Sequence, residues 1–267
     1  MPTSAALSSN ARLRDDALRR RWCGLALVVL ALTAVGCSSV PPVSDRPELI
    51  RRILASTVQL RSEREGGARR AASGVVVATD PSSRRAWIVT VRHFLGPSRP
   101  QEVSVRLPGQ TQEVPAVVFA VSDEDLGLDI AIVEVEIPGL TPVRLKEGAS
   151  NLGDEVLILA FPWGQRLTVV QGIVSQIVSI PGESLVSGPA RMVDAQVSYG
   201  SSGGGAFDAR TGELIGIVET YRTAKISIPE IKDRVIEVPV PGETVLVPAP
   251  VILQFVRDFG LARRLPK

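Results

Sequence analysis

Histidine occurs once in the 267-residue sequence, at position 93, where it closes the apolar run Ala86-Trp-Ile-Val-Thr-Val-Arg-His93. Two other segments also join an apolar stretch to a reactive side chain. Leu128-Asp129-Ile-Ala-Ile-Val-Glu-Val135 opens with a carboxylate, and Asp194-Ala-Gln-Val-Ser-Tyr-Gly200-Ser201-Ser202-Gly203-Gly204-Gly205 ends in serines among glycines. A serine hydroxyl is a poor nucleophile until a base within hydrogen-bond reach takes its proton. Imidazole, which ordinarily titrates at a pH of ~6.5, can take and return that proton near neutral pH. A carboxylate on the far ring nitrogen holds the tautomer and stabilises the imidazolium. Each residue also has an ordinary reading. Ser-Gly-Gly-Gly alone is a turn signal, and a histidine at a strand end is usually a surface or capped residue. Asp129 reads equally as a turn residue, with Asp123, Glu124 and Asp125 as nearby rivals in a solvated loop. The combination of types, order and flanking strands is what points to nucleophilic catalysis.

The three segments together resemble the trypsin-like serine endopeptidases, most closely the HtrA/DegP branch. In that branch a strand ends in T-x-x-H, D-[IL]-A-[IVL]-[IVL] supplies the acid, and T-D-A…G-N-S-G-G supplies the nucleophile. Further matching segments are Ser73-Gly74-Val-Val-Val, Leu152-Gly153-Asp154-Glu-Val…Phe161-Pro162-Trp-Gly164, Gln171-Gly-Ile-Val-Ser and Leu214-Ile-Gly-Ile217, so the likeness covers residues 50–260. It implies that His93 is the general base, Asp129 its orienting partner and Ser202 the nucleophile, in the chymotrypsin order. It also implies that Gly200 and Ser202 donate their backbone N–H groups to the oxyanion, and that Val197, Ser198 and Val218, Glu219 and Thr220 line the primary specificity pocket. No acid stands where a preference for Lys or Arg would need one, which suggests a small or aliphatic residue before the scissile bond. The chain departs from the pattern at Val91-Arg92, Ser201 and Gly205; a charge on Arg92 would lie beside the imidazole and lower its pKa. The family's usual PDZ domains are not expected after the protease segment.

The elements that must position these residues are mostly strands. Short Val/Ile-rich or alternating runs recur between Thr57 and Val247 with turn signals between them, which favours barrels or sandwiches over βαβ units. Helices are expected only at Pro47–Leu54 and at Pro250–Phe259, the latter with Gly260 just past its end. The expected fold is all-β: two six-stranded antiparallel barrels, residues 49–145 carrying His93 and Asp129, and residues 146–267 carrying Ser202 and a terminal helix. Arg222–Glu243 reads as an enlarged loop beside the pocket, either a gate or a decorated hairpin. The reaction implied is peptide-bond hydrolysis through an acyl-enzyme, with no metal or organic cofactor. A barrel pair kept as a silent binding scaffold is the alternative; a G-x-S-x-G esterase is weaker, because that motif belongs on an α/β sheet.

Residues 1–36 read as a signal peptide: a polar start, Arg19-Arg20-Arg21, then an apolar run from Trp22 to Val35. That run is shorter than the ~20 residues a spanning helix needs. Ala34-Val35-Gly36-Cys37 resembles a bacterial lipobox, in which Cys37 is lipidated, and residues 37–48 form a tether. Cys23 and Cys37 are the only cysteines, and Cys23 lies in the apolar run, so no disulfide is expected in an exported chain. Ser38 favours the outer membrane on the periplasmic side, again by resemblance. The first 36 residues hold five Arg and two Asp, leaving 25 basic against 26 acidic residues in the remainder. With aromatics at 4%, neither charge nor stacking surface argues for nucleic acid. The expected partners are protein or peptide substrates and, through Cys37, a membrane; the sequence leaves oligomeric state open.

Overall fold

The computed structural model describes residues 46–266 apart from 65–66, 97–101, 179–180, 183 and 228–234. The signal segment and the lipobox with Cys37 lie outside the described residues. The chain enters through helix α1 (Arg46–Leu54), whose Leu49 and Ile53 are buried while its arginines face solvent. Six strands follow: β1 (Thr57–Glu63), β2 (Arg69–Asp80), β3 (Arg85–Thr90), β4 (Glu102–Arg106), β5 (Glu113–Val121) and β6 (Ala131–Glu136). They close an antiparallel barrel in the order β1-β2-β3-β6-β5-β4.

The second barrel repeats the plan. β7 (Ser150–Asn151) and β10 (Ser187–Gly188) form a small separate pair. The barrel itself uses β8 (Glu155–Ala160), β9 (Thr168–Ile177), β11 (Ala190–Val193), β12 (Gly205–Asp208), β13 (Leu214–Ser227) and β14 (Val235–Pro248), in the order β11-β14-β13-β12-β8-β9. The fold is therefore two six-stranded antiparallel barrels, a chymotrypsin-like arrangement. Helix α2 (Ala249–Asp258) follows, burying Ile252, Leu253, Phe255 and Val256, as its amphipathic spacing predicts.

Closing a sheet on itself removes its edges, so the long Val/Ile runs bury both ladder and side chains. β3 and β8 each expose only their first residue. One apolar cluster fills the first barrel and continues through Leu157, Leu159, Phe207, Leu214 and Ile217 into the second and onto α2. A second cluster, with Val156, Ile158, Val174, Val193 and Leu246, fills the other barrel. The shared cluster seats the first barrel against strands of the second, and the reactive residues lie along that junction. The Arg222–Glu243 segment is, in its described part, a paired ribbon: Thr223 lies opposite Pro239 and Ser227 opposite Val235.

Candidate active site

Strand pairing brings His93 and Asp129 together. β3 and β6 are antiparallel neighbours with Thr90 opposite Ala131, so the residues just past one strand end meet those just before the other. Buried Val91 and Phe94 pin the short 3-10 turn Arg92–Phe94 on one side. On the other, Ser122 donates its backbone N–H to Ile130 O at 3.0 Å and its hydroxyl to Leu128 O at 2.7 Å. Asp129 then accepts the His93 backbone N–H on Oδ1 at 2.8 Å, while His93 Nδ1 lies 2.5 Å from Oδ2. Burial pushes the Asp129 carboxyl up, but the His93 ring, its charge and its N–H, with Arg92 nearby, more than offset this and hold the group below the usual carboxylate range. Arg92 itself is turned toward Glu124, with which it forms an ion pair. The acidic rivals Glu124 and Asp125 sit in an exposed 3-10 turn.

Ser202 comes from the loop between β11 and β12, and that loop is held by backbone bonds in both directions. Ser201 N–H donates to Ser198 O at 3.0 Å, Gly203 N–H to Val218 O at 2.8 Å, and Gly204 N–H to Ser201 O at 2.9 Å. Gly203 must be glycine: its φ is +79°, and a Cβ there would stand 2.1 Å from Ser73 O and 2.4 Å from Thr90 Oγ1. Gly200, at φ +89°, has its flanks fixed. Trp163 N–H donates to Tyr199 O at 2.7 Å, and because a trans peptide points its C=O and N–H oppositely, the Gly200 N–H faces away from Trp163. Among the described residues neither the Gly200 nor the Ser202 N–H has a protein acceptor. Trp163 itself adopts φ +56°, a left-handed conformation uncommon for a bulky residue, and its ring lies 5.5 Å from that of Tyr199.

Ser202, His93, Gly200 and Tyr199 line one cleft of about 180 Å³, together with Arg70, Ala71, Ala72 and Phe94. Within it the Ser202 hydroxyl and the His93 ring make no direct hydrogen bond. The residues expected to line the specificity pocket divide into two places. Val197 and Ser198 border a larger cavity of about 430 Å³, walled by Ile158, Ala160, Pro162 and Val170. Val218 is buried under the Ser202 loop, Glu219 accepts a hydrogen bond from Arg191 at 2.7 Å, and Thr220 is exposed on β13. Among the described residues no three His, Cys, Asp or Glu side chains converge as a metal site would require. In the sequence Ser73 and Trp163 stand out only as parts of matching motifs; in the structure both bond to the Tyr199–Ser202 segment.

Two antiparallel barrels with these residues at their junction define a chymotrypsin-like class. Residues 72–217 match the trypsin-like peptidase domain family, and the chain belongs to that family. It is 30% identical over 169 residues to human serine protease HTRA4, covering 61% of this chain and 33% of that protein. To a probable periplasmic serine endoprotease, DegP-like, of Brucella suis it is 32% identical over 151 residues, 54% of this chain and 26% of that protein. The chain thus spans about a third or less of the length of these curated relatives. In fold it is similar to the crystal structure of the serine endoprotease from Yersinia pestis, with a TM-score of 0.59 and 19% identity over 82% of this chain and 67% of that one.

Proposed function

We propose that the chain is a serine endopeptidase that cleaves exported or envelope proteins through an acyl-enzyme. The observation that carries this reading is the doubly bonded His93–Asp129 pair facing Ser202 across one cleft, with two unengaged N–H groups beside it. His93 Nδ1–H is held on Asp129, so Nε2 is the free base. As the Ser202 Oγ–carbon bond forms, the hydroxyl proton passes to Nε2 and negative charge builds on the carbonyl oxygen. The Gly200 and Ser202 N–H groups receive that oxyanion, where one such donor is worth ~10²–10³ in rate. The carbon–nitrogen bond then breaks and His93 returns its proton to the leaving amine. Water, deprotonated by the same imidazole, releases the acyl group and restores the hydroxyl. The chemistry draws only on side chains and backbone of this chain. The mature protein is held at the cell envelope by lipid on Cys37, a reading that rests on the Ala34–Cys37 motif and on the periplasmic DegP-like relative.

The test is labelling of the full chain with a fluorophosphonate probe, with mapping of the modified peptide and hydrolysis of fluorescent casein in parallel. Label on Ser202, lost together with casein cleavage in Ser202→Ala, is expected. A folded protein that takes no label and cleaves nothing would replace the enzyme with a silent scaffold.

A further inference from the structure

We infer that Ser73, a residue of the first barrel, is a positioning residue for the oxyanion donors of the second, so that the rate depends on a hydroxyl that does not touch substrate. The inference rests on the serine-protease reading above. Ser73 lies on β2 and is fully buried. Its hydroxyl donates to Gly200 O at 3.0 Å and accepts the Phe161 N–H at 2.8 Å. Its own N–H donates to Ser202 O at 2.8 Å, and its carbonyl accepts the Thr90 hydroxyl at 2.9 Å. Four bonds from one residue therefore join the strand leading into His93, the Phe161–Gly164 turn and the nucleophile loop.

The direction of each bond matters. A hydroxyl has one proton, and Phe161 N–H approaches the oxygen as a donor, so the proton points to Gly200 O. The peptide before Gly200 is fixed by Trp163 N–H and the peptide after it by Ser73 Oγ. Glycine lacks the steric restraint that would hold either plane by itself. Without the hydroxyl, Gly200 O and Phe161 N–H are both left buried and unpaired unless the chain shifts to find other partners. A shift of the Gly200–Ser201 peptide is the available relief, and because that peptide shares a Cα with the Tyr199–Gly200 peptide before it and with the Ser201–Ser202 peptide after it, the shift displaces the Gly200 and Ser202 N–H groups from the oxyanion position. A displacement of ~1 Å at a reacting centre is enough to cost ~10²-fold in rate.

The experiment measures the phosphonylation rate of the full chain at saturating fluorophosphonate, along with the half-saturating probe concentration. In that step the Ser202 Oγ–phosphorus bond forms, fluoride leaves and the proton goes to His93. Ser73→Ala is expected to lower the maximal rate by about 10–100-fold while half-saturation stays within about twofold. Ser73→Thr, which restores the hydroxyl, should recover most of the rate. Ser73→Cys preserves the bulk with a weaker donor and should lose rate in the same direction, which keeps the test open if the alanine variant does not fold. Folded Ser73→Ala or Ser73→Cys reacting at the wild-type rate would overturn the inference. So would a loss seen only in half-saturation. Wild-type protein that takes no label would instead overturn the protease reading, and this inference with it.

Discussion

Asp129 takes two hydrogen bonds from one residue, the His93 backbone N–H on Oδ1 at 2.8 Å and the ring Nδ1 at 2.5 Å from Oδ2. The carboxylate thereby orients the imidazole and anchors the turn that carries it. Asparagine at 129 has a single acceptor oxygen for two donors. If that oxygen keeps the backbone N–H, the amide NH2 faces Nδ1, and the ring must place its proton on Nε2, where it cannot act as base. Asp129→Asn should therefore lower kcat by about 10⁴ with KM changed only a few fold, read by steady-state hydrolysis of a fluorescent peptide.

Acid should destabilise the fold through identifiable carboxylates. Asp129 and Asp208 are both held below the ordinary range: burial raises each, but His93 in one case and Lys146 with the Arg210 and Thr211 N–H groups in the other more than compensate. A depressed native pKa means the stabilisation is complete above the unfolded value of ~3.9 and is lost as pH falls through the native one. Tm should thus be insensitive to these groups near neutral pH and drop steeply below about pH 4. Asp208→Asn should make that drop shallower. At pH 7 the same change removes the 2.8 Å ion pair of Lys146 with Asp208 and leaves it only Asp154 at 3.9 Å, at a cost of about 1.5–3 kcal/mol in chemical denaturation.

Gly203→Ala should be among the most damaging single-methyl changes in the chain. The added carbon meets backbone Ser73 O at 2.1 Å in a left-handed conformation, so strand β2 and the Ser202 loop must part. A loss of about 3 kcal/mol or more is expected, with little or no fluorophosphonate labelling. A variant with wild-type Tm and labelling would show that the close packing of Ser73 on Gly203 is wrong.

Trp163 separates two effects that usually travel together. Trp163→Gly keeps the N–H on Tyr199 O and suits φ +56°, so kcat should stay within about threefold although the Trp163–Tyr199 ring contact, worth ~0.5–1.5 kcal/mol, is lost. Trp163→Pro removes the N–H and fixes φ near about −65°. It should lower kcat by about 10²-fold.

Cys37→Ala tests the proposed anchor. The variant should leave the membrane pellet for the soluble fraction on cell fractionation, whereas unchanged pelleting would remove lipidation at Cys37 from the reading.

Legibility followed the range over which each feature is encoded. β3 and β8 were readable as unbroken apolar runs, and both helices as amphipathic segments with Pro or Gly at their ends. His93 and Asp129 were readable because each sits at the end of such a run. β12 was not, since its four residues Gly205–Asp208 emerge from a glycine run and become a strand only by pairing with β8 and β13. The Thr223–Ser227 ribbon was obscured by Pro239 and Pro241, which argue against a strand in isolation. The role of Ser73 was invisible for another reason. Its partners Gly200 O and Phe161 N–H lie 127 and 88 residues away and are backbone atoms, so they leave no mark in the residue types.

His93 and Asp129 belong to the first barrel and Ser202 to the second, whose last strand, β14, lies between β11 and β13. A growing chain that has emerged only through β6 carries the proposed base and acid without the proposed nucleophile. One that has reached Ser202 still lacks the strand that completes the barrel around it. Domains fold in the order of synthesis, so reactive geometry is the last property this chain acquires. On the proposed reading of an exported protease, a chain translocated as an unfolded thread would cross the membrane chemically inert and become able to cut its neighbours only after arrival.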